Sequence, residues 1–312
     1  MIKAEIIQDS INPVGCRLTT FLLEYPRFIH AEVMTHRMFS KNAASSRAIP
    51  IEKMIQQVID NPAMPVWWGK NQSGMQAKEE LSNEPAVLVD DGSLISPKEY
   101  CRRSWLKSRD IAIERVLKLN VIGLHKQICN RILEPWFNIR IILSGTDFEN
   151  FFALRAHEDA QPEFQALAKL MLEEYNKSTP KELKAGEWHI PFGDKINVDR
   201  LINTEAWENI TEGAAHELSR DTLRFIDELK TKIAIARCAR VSYLNYEGKD
   251  DYEADIKLCD RLFGSIPRHL SPTEHVAQAM DSSEYIGNFR GFKQYRKFFK
   301  DENLRDSRVK KK

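Results

Sequence analysis

Residues 34–50, MTHRMFSKNAASSRAIP, set a histidine beside an arginine and follow them with hydroxyls, an amide and a second arginine, spaced H-R-x-x-S-x-N-x-x-S-x-R. Guanidinium forks, hydroxyls and amides are the groups that hold phosphates and other oxyanions. A solvated loop leaving a buried element has the same composition, and the run on its own favours that simpler reading. Other candidates share the ambiguity. Arg155 follows the apolar NFFAL, one helical turn from Asn150 and Phe151. A guanidinium there cannot shed its proton and must be paired or reach solvent. An ion pair with Glu158 or Asp159 accounts for it as well as a site does. Arg131 in CNRILEP is similar, and His269 and His275 flank LSPTE, a proline-bounded loop that holds Glu274. Taken singly, each histidine is more simply structural.

These side chains need elements to hold them. RLTTFLLEY (17–25) is rich in β-branched and aromatic residues and predicts a buried strand. Pro26 suits a helix's first turn, and Phe28, Ile29, Val33 and His36 then fall at helical spacing, placing His36 and Arg37 near that helix's C-terminal end. Further helices are expected over IEKMIQQVI after Pro50 and over 99–135, the latter broken near Gly123. FNIRIILSGT (137–146) predicts a strand, and 147–176 a helix interrupted by Pro162. Residues 205–230 read as helical, KIAIARCARVSYL (232–244) as strand-like, and 250–265 as an amphipathic helix with acids in its first turn. NFRGFKQYRKFFK (288–300) is expected to dock as an amphipathic helix with a basic outer face. Residues 61–98, including PAMPVWWGKNQSGM, show little periodicity and predict an extended surface or lid segment. Strands alternating with helices define an α/β (α+β) class, a mixed central sheet flanked by helices.

At 312 residues the chain can bury a sizeable core in one large domain or two ordinary ones. Its 46 basic and 45 acidic residues nearly cancel, so any anion must be recognised by local clusters. Nucleic acid is not an expected partner, despite the basic and aromatic C-terminal stretch. No apolar run is long enough to cross a bilayer, and the first residues lack the features of a signal peptide. The five cysteines, odd in number and never in a C-x-x-C pair, fit a reducing cytoplasm and give no zinc signature; no metal is expected. Neither G-x-G-x-x-G after a strand nor G-x-x-x-x-G-K-[ST] occurs, which argues against Rossmann-type and P-loop nucleotide binding.

Taken jointly, three blocks resemble one family. The opening run is similar to R-H-R-x-x-S-x-N-E-x-S-x-R, the signature of the flavin-dependent thymidylate synthases, and TTFLLEYPRFIHAEVM resembles the strand and helix that lead into it. SGTDFENFFALRAHEDAQPEFQALAKLM (144–171) resembles the family's N-F-x-x-L-R … A-Q-x-E helix. Residues 239–275, from ARVS to HLSPTEH, resemble its ARVS … H-x-[ST]-P-F-E-H segment. In the usual members that segment precedes the R-H-R signature; here it comes last, which implies a circularly permuted order. Residues 61–98 and 180–230 have no counterpart.

The resemblance implies a flavin-dependent thymidylate synthase-like fold, permuted, in a single domain over 1–300, with an insertion near 61–98 and a basic tail at 301–312. It implies a flavin-dependent methyltransferase (thymidylate synthase) that converts dUMP to dTMP, with FAD as cofactor and NADPH and methylenetetrahydrofolate as co-substrates. The family works as a homotetramer with shared active sites, and nucleotide synthesis implies a cytoplasmic, non-membrane enzyme. Carried over by motif position, Glu32, Ser45, Ser46, Arg47, Arg131 and Arg155 would hold dUMP. His36, Arg37, Asn42, Thr146, Asn150, Ser242, His269, Ser271 and Glu274 would meet FAD. Arg155 matches the arginine assigned to ionising the uracil ring. With a pKa above about 12 it is a poor base, so its catalytic role is to stabilise negative charge developing on the ring.

This chain departs from the pattern at several points. Thr35 replaces the first arginine of R-H-R and Ala43 the glutamate after Asn42; Ser144 and Thr146 stand where asparagine and arginine are common, and Asp159 where histidine is. His157, Lys41 and Arg290 are available to compensate. Two alternatives stay open: a related flavin-dependent pyrimidine-nucleotide hydroxymethylase or methylase, and a non-catalytic nucleotide-binding relative.

Overall fold

A computed structural model of the chain describes residues 2–212, 218–241, 250–300, 302, 303 and 308. The chain opens on an antiparallel hairpin of β1 (Lys3–Ile11) and β2 (Arg17–Pro26). Its turn is fixed by Asn12, whose Oδ1 accepts from the Cys16 backbone N–H at 2.7 Å. β2 is buried along most of its length, as a strand apolar on both faces must be. Short α1 (His30–Met34) leads into β3 (Ser40–Ala43), so part of the polar run is an edge strand and not a loop. α2 (Ile51–Asp60) buries Ile51, Met54 and Val58. The expected extended segment follows, containing only the two-residue strands β4 (Val87–Leu88) and β5 (Leu94–Ile95).

α3 (Pro97–Val121) starts on Ser96, whose side chain accepts from the Glu99 N–H, and Gly123 at φ +85° lets the chain turn into α4 (Lys126–Leu133). β6 (Asn138–Gly145) runs antiparallel to both β2 and β3, bringing Ser144 level with Thr20 on one side and Ser40 on the other. α5 (Glu149–Arg155) and α6 (Pro162–Lys177) follow. Pro162 begins a helix where interruption was expected. It sits in the first turn, where a missing N–H is harmless, and Gln161 Oε1 accepts from the Phe164 N–H at 2.8 Å. β7 (Lys181–Glu182) joins parallel to β1, completing the order β3-β6-β2-β1-β7. The main core packs Phe21, Leu23, Ile139 and Ile141 of this sheet against Phe151 and Leu167 from the helices.

The second sheet gathers strands far apart in sequence. β8 (Trp188–His189) precedes α7 (Val198–Leu201), α8 (Glu205–Glu212), α9 (Leu218–Ala239) and α10 (Tyr252–Gly264). Then come β9 (Ala277–Ala279), β10 (Tyr285–Ile286), β11 (Phe289–Arg290) and β12 (Phe292–Gln294), giving the order β11-β10-β12-β9-β8.

Two expectations are corrected here. Residues 232–239 end α9 and are not a strand. Ile233, Ala234, Ile235, Ala236 and Cys238 are all fully buried, and a run apolar on every side does not reveal its period. The strand-like stretch beyond 241 lies outside the described residues, as does most of the 301–312 tail. Residues 288–300 likewise form no α-helix. On β11 buried Phe289 is followed by exposed Arg290, and on β12 buried Phe292 and Gln294 flank the partly exposed Lys293, an alternation within each strand that keeps a basic outer face. Gly291 makes the corner at φ +74°, where a Cβ would come within 2.4 Å of Asn12 Nδ2.

Candidate functional site

Arg155 ends α5, which Phe151 and Phe152 anchor in the core. Its guanidinium reaches the second residue beyond α1: Nε donates to His36 Nε2 at 2.9 Å, and Cζ lies 5.0 Å from the centre of the Phe164 ring. Among the described residues Arg155 makes no ion pair with Glu158 or Asp159; Asp159 instead faces His157 at 3.5 Å. Aromatic rings fence His36 edge-on, Phe151 at 5.0 Å and Phe164 at 5.7 Å. Burial first, then the cations Arg155 and Lys41, push its pKa down to about 4. The imidazole is therefore neutral at ordinary pH. Because Nε2 accepts from Arg155, the hydrogen resides on Nδ1.

The end of α1 is capped by its own neighbours. Lys41 Nζ donates to the backbone oxygen of His36 and, at 3.4 Å, to that of Val33, and burial lowers its pKa to about 8. Thr35 Oγ1 donates to Glu32 O at 2.6 Å, so the residue standing in place of an arginine finishes the helix. Arg155 and Glu32 then face one cavity of about 830 Å³, walled by Phe28, Trp67, Trp105 and Glu163. Glu163 is 3% exposed and works as a clamp: Oε1 accepts from the Val66 N–H at 2.7 Å and Oε2 from the Gln161 side chain. The family block contained Glu163, but its tie to residue 66 had no signal in the sequence. Trp67 was visible only as one half of a tryptophan pair in an aperiodic segment.

The other expected nucleotide residues gather elsewhere. The turn carrying Ser45, Ser46 and Arg47 packs on α4, which carries Arg131 in its last turn. Asn130 Nδ2 donates to Ser46 O and Ile49 O, both at 2.8 Å, and Ser46 Oγ donates to Glu134 Oε1 at 2.6 Å. Ser46 is thereby buried and engaged, while Arg47 and Arg131 are exposed cations.

The residues expected to meet a flavin divide into two sets. Arg37, Asn150, His269 and Ser271 are exposed. As a guanidinium, an amide, an imidazole and a hydroxyl, they are the donor types that a pyrophosphate-bearing cofactor accepts from, and the donor chemistry fits FAD. The remainder already serve the protein. Asn42 Nδ2 donates to Cys238 O at 3.3 Å, Thr146 Oγ1 to Asp147 Oδ2 at 2.7 Å, and Glu274 accepts from Arg296. Thr146 Oγ1 also accepts from the Arg290 backbone N–H at 3.1 Å, which brings a guanidinium-bearing residue beside the position where the family carries an arginine. Ser242 lies outside the described residues.

A buried chain of hydrogen bonds runs behind these elements. Ser10 Oγ meets His189 Nδ1 at 2.9 Å, His189 Nε2 meets Thr20 Oγ1 at 2.8 Å, Thr20 Oγ1 meets Ser144 Oγ at 2.7 Å, and Ser144 Oγ meets His275 Nδ1 at 2.8 Å. All five residues are 0% exposed. The chain crosses from β1 and β8 through β2 and β6 to the end of the HLSPTEH block. It explains why Ser144 stands where an asparagine is common: the hydroxyl bridges two partners as both donor and acceptor. Burial pushes the pKa of both imidazoles down to about 3.

Over residues 16–181 the sequence matches the thymidylate synthase complementing protein family, and the chain belongs to that family. Two solved structures are also similar to it. Both are of the UMP/dUMP methylase PolB from Streptomyces cacaoi, bound in one with 5-Br dUMP and in the other with 5-Br UMP. Each is 16% identical with a TM-score of 0.42, and the likeness covers 57% of this chain and 90% or 89% of the other. Among curated proteins none matches.

Proposed function

We propose that the chain is an FAD-dependent thymidylate synthase that methylates dUMP reductively to dTMP, using methylenetetrahydrofolate and NADPH. The observation that carries this reading is Arg155, held by His36 on the wall of an aromatic cavity shared with Glu32, in a chain of this family. With Nε engaged by His36, the two terminal nitrogens of Arg155 remain to donate to a carbonyl-bearing ring. A cation fixed among the aromatic rings of that cavity is placed to stabilise negative charge developing on the ring. Glu32, Asp159 and Glu163 line the same cavity, so it suits an uncharged base and repels a phosphate. The phosphate is assigned to Arg47 and Arg131 around α4, supplied by a neighbouring copy in a homotetramer with shared active sites.

FAD, when bound, carries reducing equivalents from NADPH to the nucleotide. Arg37, Asn150, His269 and Ser271 would hold it, and His36 keeps an Nδ1–H to donate. The order of the sequence blocks is read as a circular permutation. Asn12, at the start of the turn before β2, donates from Nδ2 to Met280 O, Ser282 O and Gly291 O, each at 3.0 Å. The chain just past the HLSPTEH block thus lies beside the strand that it would enter directly in the usual order.

Purified protein reconstituted with FAD is expected to be yellow and, given dUMP, methylenetetrahydrofolate and NADPH, to form dTMP by chromatography and mass. Failure to take up flavin would remove every flavoenzyme reading. A hydroxymethylated product would move the assignment to the related hydroxymethylase.

A further inference from the structure

We propose that Trp67, carried by the 61–98 insertion, is a specificity-determining wall of the Arg155 cavity whose indole stacks on the planar ring of the bound nucleotide. The inference rests on the reading of that cavity as a nucleobase site. It adds a residue from a segment that has no counterpart in the family blocks.

The insertion is pinned on both sides of Trp67. Ahead of it, Ala63 N–H donates to Trp136 O at 2.8 Å, Trp105 Nε1 donates to Ala63 O at 2.9 Å, and Val66 N–H reaches Glu163. Beyond it, Gln76 Nε2 donates to Glu158 O at 3.0 Å, and residues 69 and 80 form a β-bridge. The chain doubles back so closely that a Cβ on Gly69 would lie 2.3 Å from Ala77 Cβ. Trp67 is therefore presented by an ordered scaffold, which lowers the entropic cost of using it to hold a ligand.

Its neighbours in the cavity are already paired. Phe28 and Trp105 meet edge-on at 6.2 Å, Trp105 lies 5.8 Å from Trp136, and both of those indole N–H groups donate to backbone oxygens. Trp67 has no ring partner and no hydrogen bond from its indole N–H among the described residues, and it is 41% exposed. An aromatic face left open on a cavity wall gains from burial against a flat heterocycle. The acids around it select against a phosphate at this place, so the ring end of the nucleotide is the part that enters.

The test is equilibrium binding of dUMP, by calorimetry, to wild type and to Trp67→Ala, Trp67→Leu and Trp67→Phe, with circular dichroism as the folding control. Trp67→Ala and Trp67→Leu are expected to weaken binding about tenfold, and Trp67→Phe to restore most of it, because stacking needs a flat face and not merely an apolar one. Should Trp67→Ala fail to fold, the leucine and phenylalanine variants decide the matter. Equal affinity across the folded variants overturns the role of Trp67 while leaving the nucleotide reading in place. A wild-type protein that binds no dUMP overturns both.

Discussion

Arg155→Ala is expected to remove turnover, a loss on the order of a thousandfold in kcat/KM, while the protein stays folded and still binds flavin. Fold and flavin should survive because Arg155 makes no buried ion pair among the described residues. Its loss leaves one imidazole nitrogen, His36 Nε2, without a donor, a cost of about 1 kcal/mol. Turnover should not survive, because the cation is placed by two independent contacts, the hydrogen bond to His36 and the approach to the Phe164 ring. Arg155→Lys should rescue little. A lysine offers one point charge, whereas the guanidinium can engage His36 through Nε and still present two nitrogens to a ring. Steady-state kinetics on both variants, alongside their flavin absorbance and melting curves, check this; full activity in Arg155→Ala would sink the role assigned to it.

What the sequence disclosed follows from how local each feature is. β2 and β6 were readable because their apolar runs are short, β-rich and bounded by turn residues. The end of α9 was not, since burial on every side erases the periodicity that separates helix from strand. At 288–300 the aromatic and basic residues suggested a helical face, but Gly291 turns the chain and the alternation belongs to paired strands. The site divides along the same line. The spacing of the polar run and the later block singled out both His36 and Arg155, yet nothing in either block says that they bond to each other across 119 positions. The clamp from Glu163 to residue 66 and the open face of Trp67 depend on an aperiodic segment, where sequence pattern carries least information. Ser10, Thr20, Ser144, His189 and His275 share no spacing at all; only the meeting of the two sheets aligns them.

That buried chain supports the second large expectation, a stability that collapses in acid and depends on one hydroxyl. His189 and His275 have pKa values of about 3 in the folded protein, against about 6.5 when exposed. Between those values the unfolded chain binds more protons than the folded one, so stability is full above about pH 6.5 and falls as the pH drops towards 3. Two such groups give a slope of up to about 2.7 kcal/mol per pH unit. His30 and His36, both lowered to about 4, act in the same direction. The link at Thr20 is the sharpest place to cut. Thr20→Val keeps the shape but removes the oxygen between His189 Nε2 and Ser144 Oγ, leaving two fully buried polar groups each short of a partner. The expected loss is about 2–4 kcal/mol at pH 7. Thr20→Ser, which keeps the hydroxyl and gives up a methyl group, should lose only about 1 kcal/mol. Denaturant melts at pH 7 compare the two directly, and melts of the wild type from pH 7 to pH 4 report the slope. If valine and serine cost the same, the hydroxyl is not what joins the two sheets; a wild-type stability flat down to pH 4 would mean that the imidazoles are not held neutral by burial.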